Sequence, residues 1–148
     1  EKAYDLIIKR ARSYKPAARL EGVLVQEMLP PGLEVILGMK RDPIFGPTIL
    51  FGLGGIYVEL LKDVALRVAP LREEDAREMI AEIQGKALLD GVRGQPPRDR
   101  EALVEILMRL SRMAVELGDE IAELDINPLI LYPEGEGAVA ADALIVLR

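Results

Sequence analysis

Cysteine and histidine are both absent from the 148 residues of this chain. The first absence excludes disulfides, thiolate metal sites and cysteine nucleophiles, and fits a cytoplasmic protein. The second matters more for chemistry. Any histidine-based acid–base, phosphohistidine or zinc step must be supplied by another chain or domain. No uncharged apolar run is long enough to span a bilayer, and the N-terminus has no signal-peptide layout. A net charge of −6 with no basic stripe excludes a general nucleic-acid binder. What is present is a chain 50% hydrophobic, enough for a real core in one domain. Its first residue is Glu rather than Met, so a longer polypeptide is expected.

The hydrophobic period changes several times along the chain. Residues 2–14 carry Ala3, Leu6, Ile7 and Ala11 at helical spacing and stop before Pro16. An apolar run at 22–28 predicts a strand, broken by Pro30, Pro31 and Gly32. Strands are predicted at 33–41, with Val35, Leu37 and Met39 on one face, and at 48–51, 56–59 and 64–69. Residues 73–84 read as a helix with Ala76, Met79, Ile80 and Ile83 inward. Asp99 can cap a long helix over 100–117 that buries Leu103, Ile106, Leu107, Leu110, Met113 and Ala114, with Gly118 ending it. Strands mixed with segregated helices make an α+β domain.

The richest stretch is Glu123-Leu124-Asp125-Ile126-Asn127-Pro128-Leu129. Two strand-like runs, 121–132 and 137–147, are joined by Pro133-Glu134-Gly135-Glu136, a connection with turn chemistry. If Tyr132 pairs with Gly137, Asn127 falls opposite Asp142 and Asp125 lies on the diagonal of the same face. Two carboxylates and an amide oxygen on a rigid sheet suit Mg²⁺, which takes few protein ligands together with substrate phosphates. A solvated acidic sheet face is the other reading of this pattern. The loop Gly52-Leu53-Gly54-Gly55 matches no dinucleotide or P-loop pattern; a tight turn and a close approach to phosphate are both open there. Lys40-Arg41-Asp42 and Lys62-Asp63 read as solvated charge pairs, with Lys40, Arg41 and Lys62 as possible phosphate or interface contacts.

Residues 25–34, VQEMLPPGLE, resemble the hinge of ATP-grasp enzymes, where the chain crosses between two lobes and an acidic residue follows. The segments GMKRDPIFGPTILFGLGGIYVELLKDVALRVAPL, LLDGVRGQPP and AELDINPLIL are similar to the ATP-grasp part of nucleoside-diphosphate-forming acyl-CoA synthetases, relatives of succinyl-CoA synthetase β. The resemblance is collinear from Gly22 to Leu147. It implies that residues 1–148 are the C-terminal portion of an ATP-grasp fold, a mainly antiparallel sheet with flanking helices, with the N-terminal lobe expected outside this chain.

The resemblance further implies that Gln26, Glu27 and Leu29 line the adenine edge through their main chain, and that Glu34 accepts from ribose hydroxyls. Asp125, Asn127 and Asp142 match the family's Mg²⁺ ligands, although the succinyl enzymes carry Glu where Asp125 stands. No catalytic residue of this chain is assigned. The implied cofactors are ATP or ADP and Mg²⁺, with coenzyme A bound mainly by other domains. The implied function is the nucleotide-binding part of an ADP-forming acid–CoA ligase, acting through a phosphohistidine on an α subunit or fused domain, in a cytoplasmic hetero-oligomer. The fragment alone is expected to be inactive. Another ATP-grasp carboxylate ligase and a non-catalytic regulatory module are the alternatives, and the acid substrate is left open.

Overall fold

The computed structural model describes residues 2–55, 63–92 and 94–148. The chain divides into two compact units, Glu1–Pro30 and Pro31–Arg148. The first holds helix α1, Lys2–Tyr14, followed by residues without regular structure. The strand predicted over 22–28 does not form. A strand exists only where a neighbour completes its hydrogen-bond ladder, and no described strand pairs with this stretch.

The second unit is built on an antiparallel sheet. Strands β1 (Leu33–Asp42), β2 (Gly46–Leu53), β3 (Val64–Val68), β4 (Ile121–Leu131) and β5 (Ala138–Ala140) lie in the order β3-β2-β1-β4-β5, and β6 (Ala143–Leu147) also pairs with β4. The strand predicted at 56–59 lies outside the described residues. Helix α2, Glu73–Glu82, is shorter than its periodicity suggested, because Ile83 turns extended (φ −62°, ψ 142°) and a 3₁₀ turn, Gln84–Leu88, follows. Helix α3, Arg100–Glu116, is capped by Asp99 as expected, its carboxylate accepting from the Ala102 amide at 2.9 Å.

Alternation along β1 points Val35, Leu37 and Met39 toward the helices, where they join Ile49, Phe51, Leu53, Met79, Leu103 and Leu107 in one core. Ser111 is buried within it, its hydroxyl accepting from the Leu71 amide at 2.7 Å. Asp63, read from sequence as half of a solvated charge pair, is 5% exposed. Its two carboxylate oxygens accept from the Gln84 and Gly85 amides, each at 2.7 Å, and so hold the 3₁₀ turn against the sheet. Gly85 is required there, since a Cβ would meet Leu53 Cδ1 at 2.1 Å. Among the described residues no helix is long and apolar enough to cross a membrane.

Candidate nucleotide and metal site

The hairpin register follows from the short Pro133–Glu136 loop. The Tyr132 amide donates to Gly137 O at 3.0 Å, and Leu131 pairs with Ala138, Ile130 with Val139 and Leu129 with Ala140. The same register continues into β6, where Ile126 faces Ala143 and Asp125 faces Leu144. Between the two ladders the Asn127 amide donates to Asp142 O at 3.1 Å, the pairing expected from loop length. A clamp outside the loop secures it: Asp99, besides capping α3, accepts from the amides of Gly135 and Gly137, both at 3.0 Å. These bonds, led by the one from Ala102, hold the Asp99 carboxyl below its usual range against the opposing cost of burial.

Strict alternation does not run through β4. Val35 pairs with Leu129 and Leu37 with Ile126, so Asn127 and Pro128 together oppose Ile36 in a two-against-one bulge. The bulge shifts the inward phase by one residue. Leu124 is buried before it, and Leu129 and Leu131 are buried after it. On the N-terminal side of the bulge, Glu123 and Asp125 stand on the face away from the helices, opposite Lys40 and Gly38 of β1.

That face carries Asp125, one of the three expected ligands, with Glu123 beside it. Partial burial, and then the neighbouring charges of Glu123 and Asp142, push the Asp125 carboxyl above its ordinary range. The Asp142 carboxylate, which contributes to that shift, accepts from the Ala143 amide at 2.9 Å, and the Asn127 amide ties its strand to β4. A cation between these groups relieves the repulsion, and the donor set of two carboxylates and an amide oxygen fits a hard ion such as Mg²⁺. Among the described residues no group of three or more His, Cys, Asp and Glu gathers as a self-sufficient metal cage. An ion at these residues would need further oxygens from phosphates or water.

Glu34 is exposed on the same face of β1, two residues from Ile36. The glycine loop folds onto it. The Gly54 amide donates to Glu34 O at 2.8 Å, and a Cβ on Gly54 would lie 3.0 Å from the Glu34 backbone and Cβ. At Gly55 (φ +60°) a Cβ would sit 3.5 Å from Glu34 Oε2. The loop's glycines thus serve close backbone approach beside the candidate ribose acceptor. Gln26, Glu27 and Leu29 belong to the other unit, in residues without regular structure.

The basic residues separate. Lys40 Nζ lies 3.6 Å from Glu123 Oε2 on the open face, an exposed pair of a kind worth at most about 1 kcal/mol. Arg41 is engaged elsewhere: its Nη1 donates to Gly118 O at 3.1 Å and its Nη2 lies 3.5 Å from Asp119, fastening the α3–β4 turn. Lys62 lies outside the described residues. Sequence reasoning missed the roles of Asp63 and Arg41 because both depend on amides and carbonyls distant in the chain.

A profile of the ATP-grasp domain matches residues 1–147. The chain is 49% identical to the acetate–CoA ligase [ADP-forming] II subunit β of Pyrococcus furiosus, over 100% of this chain and 63% of that one. Two solved structures of the Candidatus Korarchaeum cryptofilum dinucleotide-forming acetyl-coenzyme A synthetase 1 are similar. One, with coenzyme A, acetyl-coenzyme A and a phosphorylated phosphohistidine segment, is 52% identical with a TM-score of 0.86, covering 99% of this chain and 64% of that one. The other, with coenzyme A and Mg-AMPPCP, has its phosphohistidine segment pointing towards the nucleotide-binding site. It is 50% identical with a TM-score of 0.80, covering 95% and 64%. The chain therefore spans under two thirds of the length of these relatives. The family-wide match, the antiparallel sheet with its flanking helices and the open acidic face lead to one conclusion: this chain belongs to the ATP-grasp family.

Proposed function

We propose that this chain is the nucleotide- and Mg²⁺-binding lobe of an ADP-forming acid–CoA ligase. The reading is supported by the register of β4 against β6, in which the Asn127 amide bonds to Asp142 O, and by Asp125 and Glu34 standing on the helix-free face. The overall reaction is acyl-CoA + ADP + phosphate ⇌ acid + CoA + ATP. The phosphoryl group arrives from a phosphorylated histidine on a partner subunit or fused domain, since this chain has no histidine to carry it. The phosphorus–nitrogen bond breaks as a terminal oxygen of ADP bonds to phosphorus, and the imidazole nitrogen keeps the electron pair.

Within that scheme the chain's residues bind and orient rather than attack, as suits phosphoryl transfer. Glu34 accepts from the ribose hydroxyls, its backbone held by the Gly54 amide. Gln26, Glu27 and Leu29 present main-chain groups and an apolar edge to adenine. Asp125, Asn127 and Asp142 hold the cation, which when bound neutralises phosphate charge. Coenzyme A and the acid are bound by other domains, and an α subunit completes a hetero-oligomer in the cytoplasm. The likeness to an ADP-forming acetate–CoA ligase and an acetyl-coenzyme A synthetase weighs against a carboxylate–amine ligase and a regulatory module.

Calorimetry of ADP binding to the full-length enzyme tests the reading. Glu34→Ala is expected to weaken ADP by roughly 1–3 kcal/mol, the range for hydrogen bonds to a charged acceptor. Unchanged affinity would remove Glu34 from the ribose role.

A further inference from the structure

A groove of about 340 Å³ runs across the open face. Ile36, Leu50 and Leu66 make one end apolar, and Lys40, Glu123 and Asp125 charge the other. Along β1, Glu34, Ile36, Gly38 and Lys40 occupy successive positions of this face, about 7 Å apart. Gly38 pairs with Asp125 and Lys40 with Glu123, so Lys40 lies one step past the candidate cation ligands on the side away from Glu34. Gly38 presents no side chain between them; a Cβ there would stand 3.5 Å from Leu124 O, 3.7 Å from Leu50 Cβ and 4.0 Å from Asp125 Oδ1.

Lys40 is built to change partners. Its ammonium stands 3.6 Å from the Glu123 carboxylate, beyond good hydrogen-bond length, and the two side chains are 73% and 50% exposed. Its backbone is fixed, because the Thr48 hydroxyl donates to Lys40 O at 2.7 Å. The adjacent cation, Arg41, is committed to Gly118 and Asp119. Among the described residues lining the groove, Lys40 carries the positive charge against Glu123 and Asp125. A phosphate entering beside these carboxylates needs a cation on its outer side, and a charge-assisted bond to phosphate is stronger than an exposed pair with Glu123.

We propose that Lys40 leaves Glu123 to contact the terminal phosphoryl group of a bound nucleoside triphosphate, on the side opposite the ribose, and so senses the phosphoryl group being transferred rather than the nucleoside diphosphate. This rests on the nucleotide reading above. The order of residues along β1 makes the contact selective: a diphosphate ends at the Asp125 row, whereas the third phosphoryl group reaches the Lys40 row.

The test is calorimetry of the full-length enzyme with Mg-ADP and with Mg-AMPPCP. Lys40→Ala is expected to weaken AMPPCP about tenfold, the loss of one charge-assisted bond, while ADP affinity stays within about twofold. Lys40→Arg should restore most of the AMPPCP affinity, which a merely structural role for the stem would not require. Lys40→Gln, which keeps the stem without the charge, should behave as Lys40→Ala and replaces it if that variant melts early. Equal weakening of both nucleotides, or of neither, would overturn the Lys40 contact while leaving the nucleotide reading intact. A wild-type enzyme that binds neither nucleotide would overturn both.

Discussion

The two faces of one sheet are put to opposite uses. Toward the helices, Val35, Leu37, Met39, Ile49, Phe51 and Leu53 are each at most 1% exposed. On the other face of the same strands stand Glu34, Gly38 and Lys40, with Glu123 and Asp125 across the ladder, while Leu66 and Leu144 are 56% and 63% exposed. An antiparallel sheet permits this because successive side chains point to opposite sides, so one face can pack while the other stays open to ligand. The lesson is that rigidity and chemistry are drawn from alternate residues of one strand: Leu37 and Met39 anchor the backbone that presents Gly38 and Lys40.

The comparison breaks most sharply by truncation. Phe51→Ala is expected to cost about 3–5 kcal/mol of stability by chemical denaturation, as a fully buried ring is lost without collapse of its surroundings. Leu144→Ala on the open face should fall within about 0.5 kcal/mol. Comparable losses at the two positions would mean that the open face is packed in the isolated chain as well.

Next in size is a change of charge on the open face. In the full-length enzyme Asp142→Asn should lower turnover on the order of 10²-fold with little change in the urea midpoint, since it removes charge and keeps shape. Asn127→Ala should act through the same ion, so the double variant should be far less impaired than the product of the single effects. Independent, multiplicative losses would argue that the two residues do not share a cation.

The smallest effect concerns two aspartates with opposite pH behaviour. Asp99 has a lowered carboxyl pKa, so its contribution to stability is present above the ordinary value of 3.8 and is lost as pH falls through the lowered value. Asp125 has a raised pKa, so its contribution is present below 3.8 and is lost as pH rises through the raised value. In the metal-free protein the loss of stability as pH falls below 3.8 should therefore flatten in Asp99→Asn, and the loss as pH rises above 3.8 should flatten in Asp125→Asn. An unchanged profile in Asp125→Asn would show that its carboxylate is not crowded by Glu123 and Asp142.

Much of this arrangement was legible in the sequence alone. The pairing of Asn127 with Asp142 came from a short loop bounded by Tyr132 and Gly137, because a hairpin turn counts residues and the count sets every pair beyond it. The buried stripe Ala76, Met79, Ile80 and Ile83, and the β1 alternation, came from periodicity. Ser111 was passed over among the buried positions of α3, since its burial depends on a bond to the distant Leu71 amide. The run at 22–28 misled because an apolar sequence can propose a strand but cannot supply the neighbouring ladder.

By itself, then, the sequence determined the local matters: the three helices, the alternation along β1, the cap at Asp99 and the hairpin register, all governed by contacts a few residues apart or by the counting of a turn. Tertiary structure alone decided the rest. It took Asp63 out of solvent onto Gln84 and Gly85, engaged Arg41 with Gly118 while leaving Lys40 in the groove, tied Asp99 to Gly135 and Gly137, and inserted the bulge at Asn127 that returns Leu129 and Leu131 to the core. Each of these satisfies a backbone group or fills a space created by residues tens of positions away, and neither demand is visible until the chain has folded.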